Sequence, residues 1–107
     1  QIEKHLFNKN VELGNLRILE KKLINKKNYK SSFLTDIEDQ ILTYLEKNKK
    51  GSKEFIKNNI LNIKSTIETN SVESHLTRIR KKLIKVDADL VISSKSDNLF
   101  INFIKKN

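Results

Sequence analysis

Residues 71–83 read S-V-E-S-H-L-T-R-I-R-K-K-L, with Val72, Leu76, Ile79 and Leu83 recurring at i, i+4, i+7 and i+11. That spacing predicts a helix with one buried stripe. Glu73, Ser74, His75, Thr77, Arg78, Arg80, Lys81 and Lys82 fill the positions between, so the same helix holds out hydrogen-bonding and cationic groups. Two further helices precede it. Thr35-Asp36-Ile37-Glu38 is a capping box, in which the threonine hydroxyl takes an amide three residues on and the glutamate reaches back. Ile37, Ile41, Leu42 and Leu45 follow at helical spacing to about Asn48, and Gly51 after Lys50 is a stop signal. Ser52 can cap a shorter second helix through Phe55, Ile56, Ile60 and Leu61. Residues 63–68 read as a loop, and Asn70 or Ser71 caps the third helix with Glu73 near its positive end.

The ends of the chain have a different pattern. Over residues 1–33 short runs interrupted by polar residues (11–13, 16–19, 23–24 and 29–33), with turn signals at Gly14-Asn15 and at Asn25-Lys26-Lys27-Asn28, predict a small antiparallel sheet. Leu90-Val91-Ile92 and residues 99–103 flank a polar stretch and predict a hairpin, with Asp97-Asn98 supplying the positive-φ residue of its turn. Leu99, Phe100, Ile101 and Phe103 are expected in the core, because a hairpin buries one face on the helices. The order is sheet (about 1–33), three helices (34–86) and hairpin (88–104), an α+β arrangement in a single domain spanning residues 1–107.

Composition narrows the function. The net charge is +9, and it is uneven: residues 1–48 carry 9 Lys/Arg against 7 Asp/Glu, residues 49–107 carry 13 against 6. Excess positive charge points to a polyanionic partner, although a Lys-, Asn- and Ile-rich genome would raise it too. Cysteine is absent, which excludes disulfides and thiolate metal sites and fits a cytoplasmic setting. No apolar run is long enough to span a membrane, and no signal peptide is evident. A first residue of Gln1 points either to a processed start or to a fragment of a longer protein, the latter being the expectation. Catalysis is not expected, since there is no paired histidine, Gly-rich phosphate loop or nucleophile elbow. Asp36, Glu38 and Asp39 are explained by capping and the helix dipole, and His5 has no partner at useful spacing. No cofactor and no metal site are expected.

With these residues in this order, the chain resembles the winged-helix DNA-binding domain of OmpR/PhoB-type response regulators over about residues 11–103. Three motifs carry the resemblance. Leu34-Thr35-Asp36-Ile37-Glu38-Asp39-Gln40-Ile41-Leu42-Thr43-Tyr44-Leu45 follows the family's L-T-x-x-E-x-x-l-L-x-x-L. Val72, His75, Arg78, Arg80, Lys81, Lys82 and Leu83 match its recognition helix in register. Residues 91–101 follow its wing, with Lys95 at the arginine position, but Ser96 and Asn98 replace the wing glycines and Leu99 the tyrosine. The family's V-W-G after the second helix is Ile60-Leu61-Asn62 here.

The resemblance implies a bacterial, nucleoid-associated transcription regulator that binds double-stranded DNA, commonly as a homodimer on direct repeats, often controlled by an upstream receiver domain. Arg78 matches the base-reading arginine, and its fork can take guanine O6 and N7 together. Ser74 and Thr77 flank it as short, adaptable readers, and Glu73 could accept from cytosine N4 or simply stabilise the helix start. His75, Arg80, Lys81 and Lys82 are candidates for backbone phosphate, with one of the basic three able instead to pair with an acid inside the domain. Lys95, with Ser94 and Ser96, is the wing contact to the minor groove or backbone. The loop with Ile63, Lys64, Ser65 and Thr66 is where family members can touch RNA polymerase. The expectation is therefore a winged helix-turn-helix with helix 71–85 in the major groove and residues 94–98 at the minor groove. The alternatives are a winged-helix protein-interaction module, favoured by the degraded wing, or a non-specific nucleic-acid binder.

Overall fold

Alternating burial organises the strands of residues 11–33. The computed structural model describes residues 10–61 and 70–104. Strands β1 (Asn10–Leu13), β2 (Leu16–Leu19), β3 (Lys22–Asn25) and β4 (Ser31–Phe33) form an antiparallel sheet in that order. The register pairs Val11 with Ile18, Leu13 with Leu16, and Ile18 with Leu23, so one face carries the apolar side chains inward. Gly14 turns β1 into β2 at φ 58°, where an added Cβ would meet the Asp89 carboxylate and the Phe103 ring. Glu20 and Lys21 turn β2 into β3 with φ 50° and 61°, the mirror-image turn whose twist matches the strands.

Asn25 does more than turn the chain. Its buried side chain donates to the carbonyls of Val86 at 2.7 Å and Asp87 at 3.1 Å, and accepts from the Lys27 amide at 2.8 Å. One polar residue of the sheet thus satisfies carbonyls just beyond the last helix.

The first helix, α1 (Asp36–Asn48), begins at the capping box: the Glu38 amide donates to the Thr35 hydroxyl at 3.1 Å, and the Thr35 amide to the Glu38 carboxylate at 2.9 Å. Ile41, Leu42 and Leu45 are buried on its inner side. Its stop is not Gly51. Lys49 adopts the left-handed conformation at φ 69° and donates its amide to the Leu45 carbonyl at 2.8 Å. Gly51 instead lies in β5 (Lys50–Ser52), where a Cβ would run into the Tyr44 ring and the Leu45 side chain.

The second helix, α2, begins with one turn at Lys53–Phe55, capped by the Ser52 hydroxyl, and widens into a π-helical stretch at Ile56–Ile60. There the Leu61 amide donates to the Ile56 carbonyl at 2.9 Å, five residues back. Phe55 stacks on Tyr44 with ring centroids 4.5 Å apart, tying α2 to α1. Helix α3 (Asn70–Lys85) buries Val72, Leu76, Ile79 and Leu83 against the common core. It ends on Asp87 at φ 58°, with the Ala88 amide on the Leu83 carbonyl at 2.9 Å and the Asp87 amide on the Ile84 carbonyl at 3.0 Å.

The chain closes with β6 (Leu90–Lys95) and β7 (Asn98–Phe103), and β5 joins them in the order β5-β7-β6. The hairpin turn is tight: Lys95 pairs with Asn98, and Ser96, rather than Asp97 or Asn98, carries the positive φ of 57°. Leu99 is buried and Ile101 packs on the core, whereas Phe100 is only partly buried outside the core cluster and Phe103, beside Gly14, is 60% exposed. Among the described residues the fold is a small α+β arrangement of three helices and antiparallel sheets, and none of these helices is long and apolar enough to cross a membrane.

Candidate nucleic-acid interface

Helix α3 has a buried side and an exposed one because its apolar residues keep helical spacing. Opposite the stripe, Ser74, Thr77 and Lys81 are all exposed, with Lys85 one turn beyond Lys81. No partner within the described residues engages Lys81 or Lys85. Lys85 was not singled out by the sequence, although its place four residues after Lys81 puts it on the same row.

The remaining basic residues on the helix are held by the protein. Lys82 donates to Glu38 Oε1 at 2.5 Å, so it is the one of the three that pairs with an acid inside the domain. Arg80 Nε donates to the Ile92 carbonyl at 3.1 Å, anchoring α3 on β6. Arg78 turns toward α1 rather than straight outward: Nε lies 3.7 Å from Glu38 Oε2, and Nη2 lies 3.0 Å from His75 Nδ1. Its side chain is nevertheless 51% exposed. Glu73 is exposed and pairs with Lys53 at 2.7 Å, which joins the starts of α2 and α3.

Glu38 is fully buried and charged. Burial opposes its ionisation, but the Lys82 ammonium, the Thr35 amide and the Arg78 guanidinium outweigh that, and its pKa lies below the ordinary carboxylate value. His75 is half-buried; loss of solvent and the neighbouring Arg78 push its pKa down against the pull of Glu38. A neutral imidazole with a free Nδ1 is what an arginine donor requires.

On the hairpin, Ser94, Lys95 and Ser96 are exposed beside the turn. The turn itself is fastened to α2: the Lys53 amide donates to the Asp97 carbonyl at 2.8 Å. Ile63, Lys64, Ser65 and Thr66 lie outside the described residues. Among those described, no group of three or more His, Cys, Asp or Glu is placed to hold a metal ion.

The arrangement therefore offers a row of small polar and cationic groups on one helix, with an exposed lysine on a neighbouring hairpin. Such a row can hydrogen-bond base edges and neutralise phosphates. Neither family models nor curated protein sequences provide a match to the chain.

Proposed function

We propose that this chain is a winged-helix domain of the OmpR/PhoB effector type that binds double-stranded DNA and regulates transcription. In this reading α3 enters the major groove and the β6–β7 hairpin is the wing at the minor groove or backbone. The observation that carries it is the exposed row of Ser74, Thr77 and Lys81, with Arg78 half-exposed beside it, on a helix whose other side is buried in the core. Lys81, Lys85 and Lys95 fix position on phosphate; Arg78, Ser74 and Thr77 read sequence. A homodimer on direct repeats, RNA polymerase and an upstream receiver domain are the partners this reading brings with it, in a bacterial cytoplasm.

Selection of duplexes from a random DNA pool at about 150 mM salt, run beside Arg78→Ala, tests the reading, because phosphate-only binding is already weakened there. An enriched motif repeated at about one helical turn, blurred by the variant, is the expected result. No enrichment for either protein would sink it.

A protein-interaction module is the second reading, and an apolar groove favours it. Leu83, Ile84, Val91 and Ile104 line a depression between α3 and β6, and Ile84 is 74% exposed. Binding that ignores DNA and is lost in Ile84→Asp would favour this reading.

A further inference from the structure

The capping box accounts for only half of the Glu38 carboxylate. Oε1 accepts from the Thr35 amide at 2.9 Å and from Lys82 at 2.5 Å. Oε2 is buried and receives no hydrogen bond among the described residues. A buried carboxylate oxygen without a donor is costly, so the position needs a reason beyond capping. The cation placed to supply it is Arg78, whose Nε stands 3.7 Å away on a side chain that is half in solvent.

We propose that Glu38 is a positioning residue for Arg78, orienting its guanidinium for base reading without touching DNA. This rests on the DNA-binding reading above. Nε and Nη2 lie along one edge of the planar guanidinium, and that edge faces inward, with Nη2 3.0 Å from His75 Nδ1 and Nε within ion-pair range of Glu38 Oε2. Among the described residues nothing engages Nη1 or the second Nη2 proton at the far end. Two parallel N–H donors at that end are the fork that guanine O6 and N7 accept. An arginine left loose would lose rotamer freedom on binding; one held on its inner edge has already lost it. Lys82, on the other oxygen, favours the ionised carboxylate. The recognition row is thereby extended into α1, through a residue that no DNA contact would reveal.

The test is Glu38→Gln, with Glu38→Gln/Lys82→Met as the variant that strands no unpaired ammonium if the single change unfolds. Each is checked for folding by its amide NMR spectrum. Two readouts follow: the Arg78 Nε–Hε resonance without DNA, and the base preference in duplex selection. The expected result is a displaced, solvent-exchanging Nε–Hε signal and a roughly tenfold loss of discrimination at one base pair, the scale of one bidentate contact. Affinity for random duplex should be kept or raised in Glu38→Gln, which removes a negative charge, and kept in the charge-neutral double variant; a purely structural role would lower both affinities together. An unchanged Nε–Hε signal overturns the proposal whatever the DNA data show, as does full discrimination with a displaced signal. A wild type without any base preference overturns the DNA reading itself, and is seen before any variant is compared.

Discussion

Asp97 in the hairpin turn holds Ser52 at the start of α2: the Ser52 hydroxyl donates to Oδ2 at 2.5 Å, while Oδ1 takes the Glu54 amide at 3.1 Å. Ser52 also accepts from the Phe55 amide at 3.2 Å, so two side chains from distant segments cap one helix start. The clamp joins the hairpin turn to α2. Asp97→Ala should cost about 1–2 kcal/mol in urea unfolding, the scale of a lost cap. Asp97→Asn keeps an acceptor for the Glu54 amide and should cost clearly less. Equal losses for the two variants would show that the carboxylate charge, not the geometry, holds the turn.

That clamp also marks what the sequence displays and what it hides. Thr35 and Glu38 announce their cap because both partners lie within one turn, and Val72, Leu76, Ile79 and Leu83 announce their stripe because burial repeats with the helix. Strand β5 has no such signal: Lys50, Gly51 and Ser52 are a strand only because Phe100, Leu99 and Asn98 pair with them. The left-handed Lys49 ends α1 where Gly51 was the obvious candidate, since Gly51 is needed for its lack of a side chain beside Tyr44. The same division runs through the candidate site. Periodicity exposes Ser74, Thr77 and Lys81, but only the fold brings Glu38 to Lys82, 44 residues away, and Arg80 to the Ile92 carbonyl.

The turn between β2 and β3 is open to improvement. Glu20 and Lys21 both occupy left-handed backbone, which side chains resist and which Asn and Gly accept. Lys21 gives in return an exposed ion pair with Asp36, and such pairs contribute little. Replacing the two residues by Asn-Gly should raise stability by about 1 kcal/mol. By contrast, Gly14→Ala should be destabilising, because its Cβ meets Phe103 and Asp89 at a positive φ. Thermal melts of both variants check the opposite signs.

Acid should weaken the fold in two stages. His75 has a lowered pKa in the folded state, so the unfolded chain binds the extra proton first; stability falls as pH drops below the ordinary 6.5, until the depressed folded value is passed. Arg78 on the same helix and Glu38 on α1 are the charges facing it. Glu38 is a lowered carboxylate, so its contribution is complete above the ordinary 4.5 and is lost as pH falls through its folded value. Urea midpoints measured from pH 8 to pH 3 should therefore decline first through the histidine range and again through the carboxylate range. His75→Gln should flatten the first decline and leave the second. A first decline that survives this substitution would assign it elsewhere.

Three basic residues of α3 should respond differently to removal, because the fold employs them differently. Lys81 is exposed and held by no partner among the described residues, so its proposed task is phosphate neutralisation. Lys81→Ala should weaken binding to every duplex alike and reduce the slope of log affinity against log salt by about one phosphate's share, ~0.9. Arg78→Ala should leave that slope nearly intact and lower discrimination at one base pair by about 1–3 kcal/mol. Lys82 already neutralises Glu38, and its side chain is 25% exposed. Lys82→Ala should cost stability, by about 3 kcal/mol where a buried charge is left without its partner, and change the salt slope little. If Lys82→Ala instead mimics Lys81→Ala, the Glu38 pair opens on DNA and the lysine turns outward to phosphate. The three slopes, read beside three unfolding midpoints, separate a side chain that meets DNA from one that holds the helix.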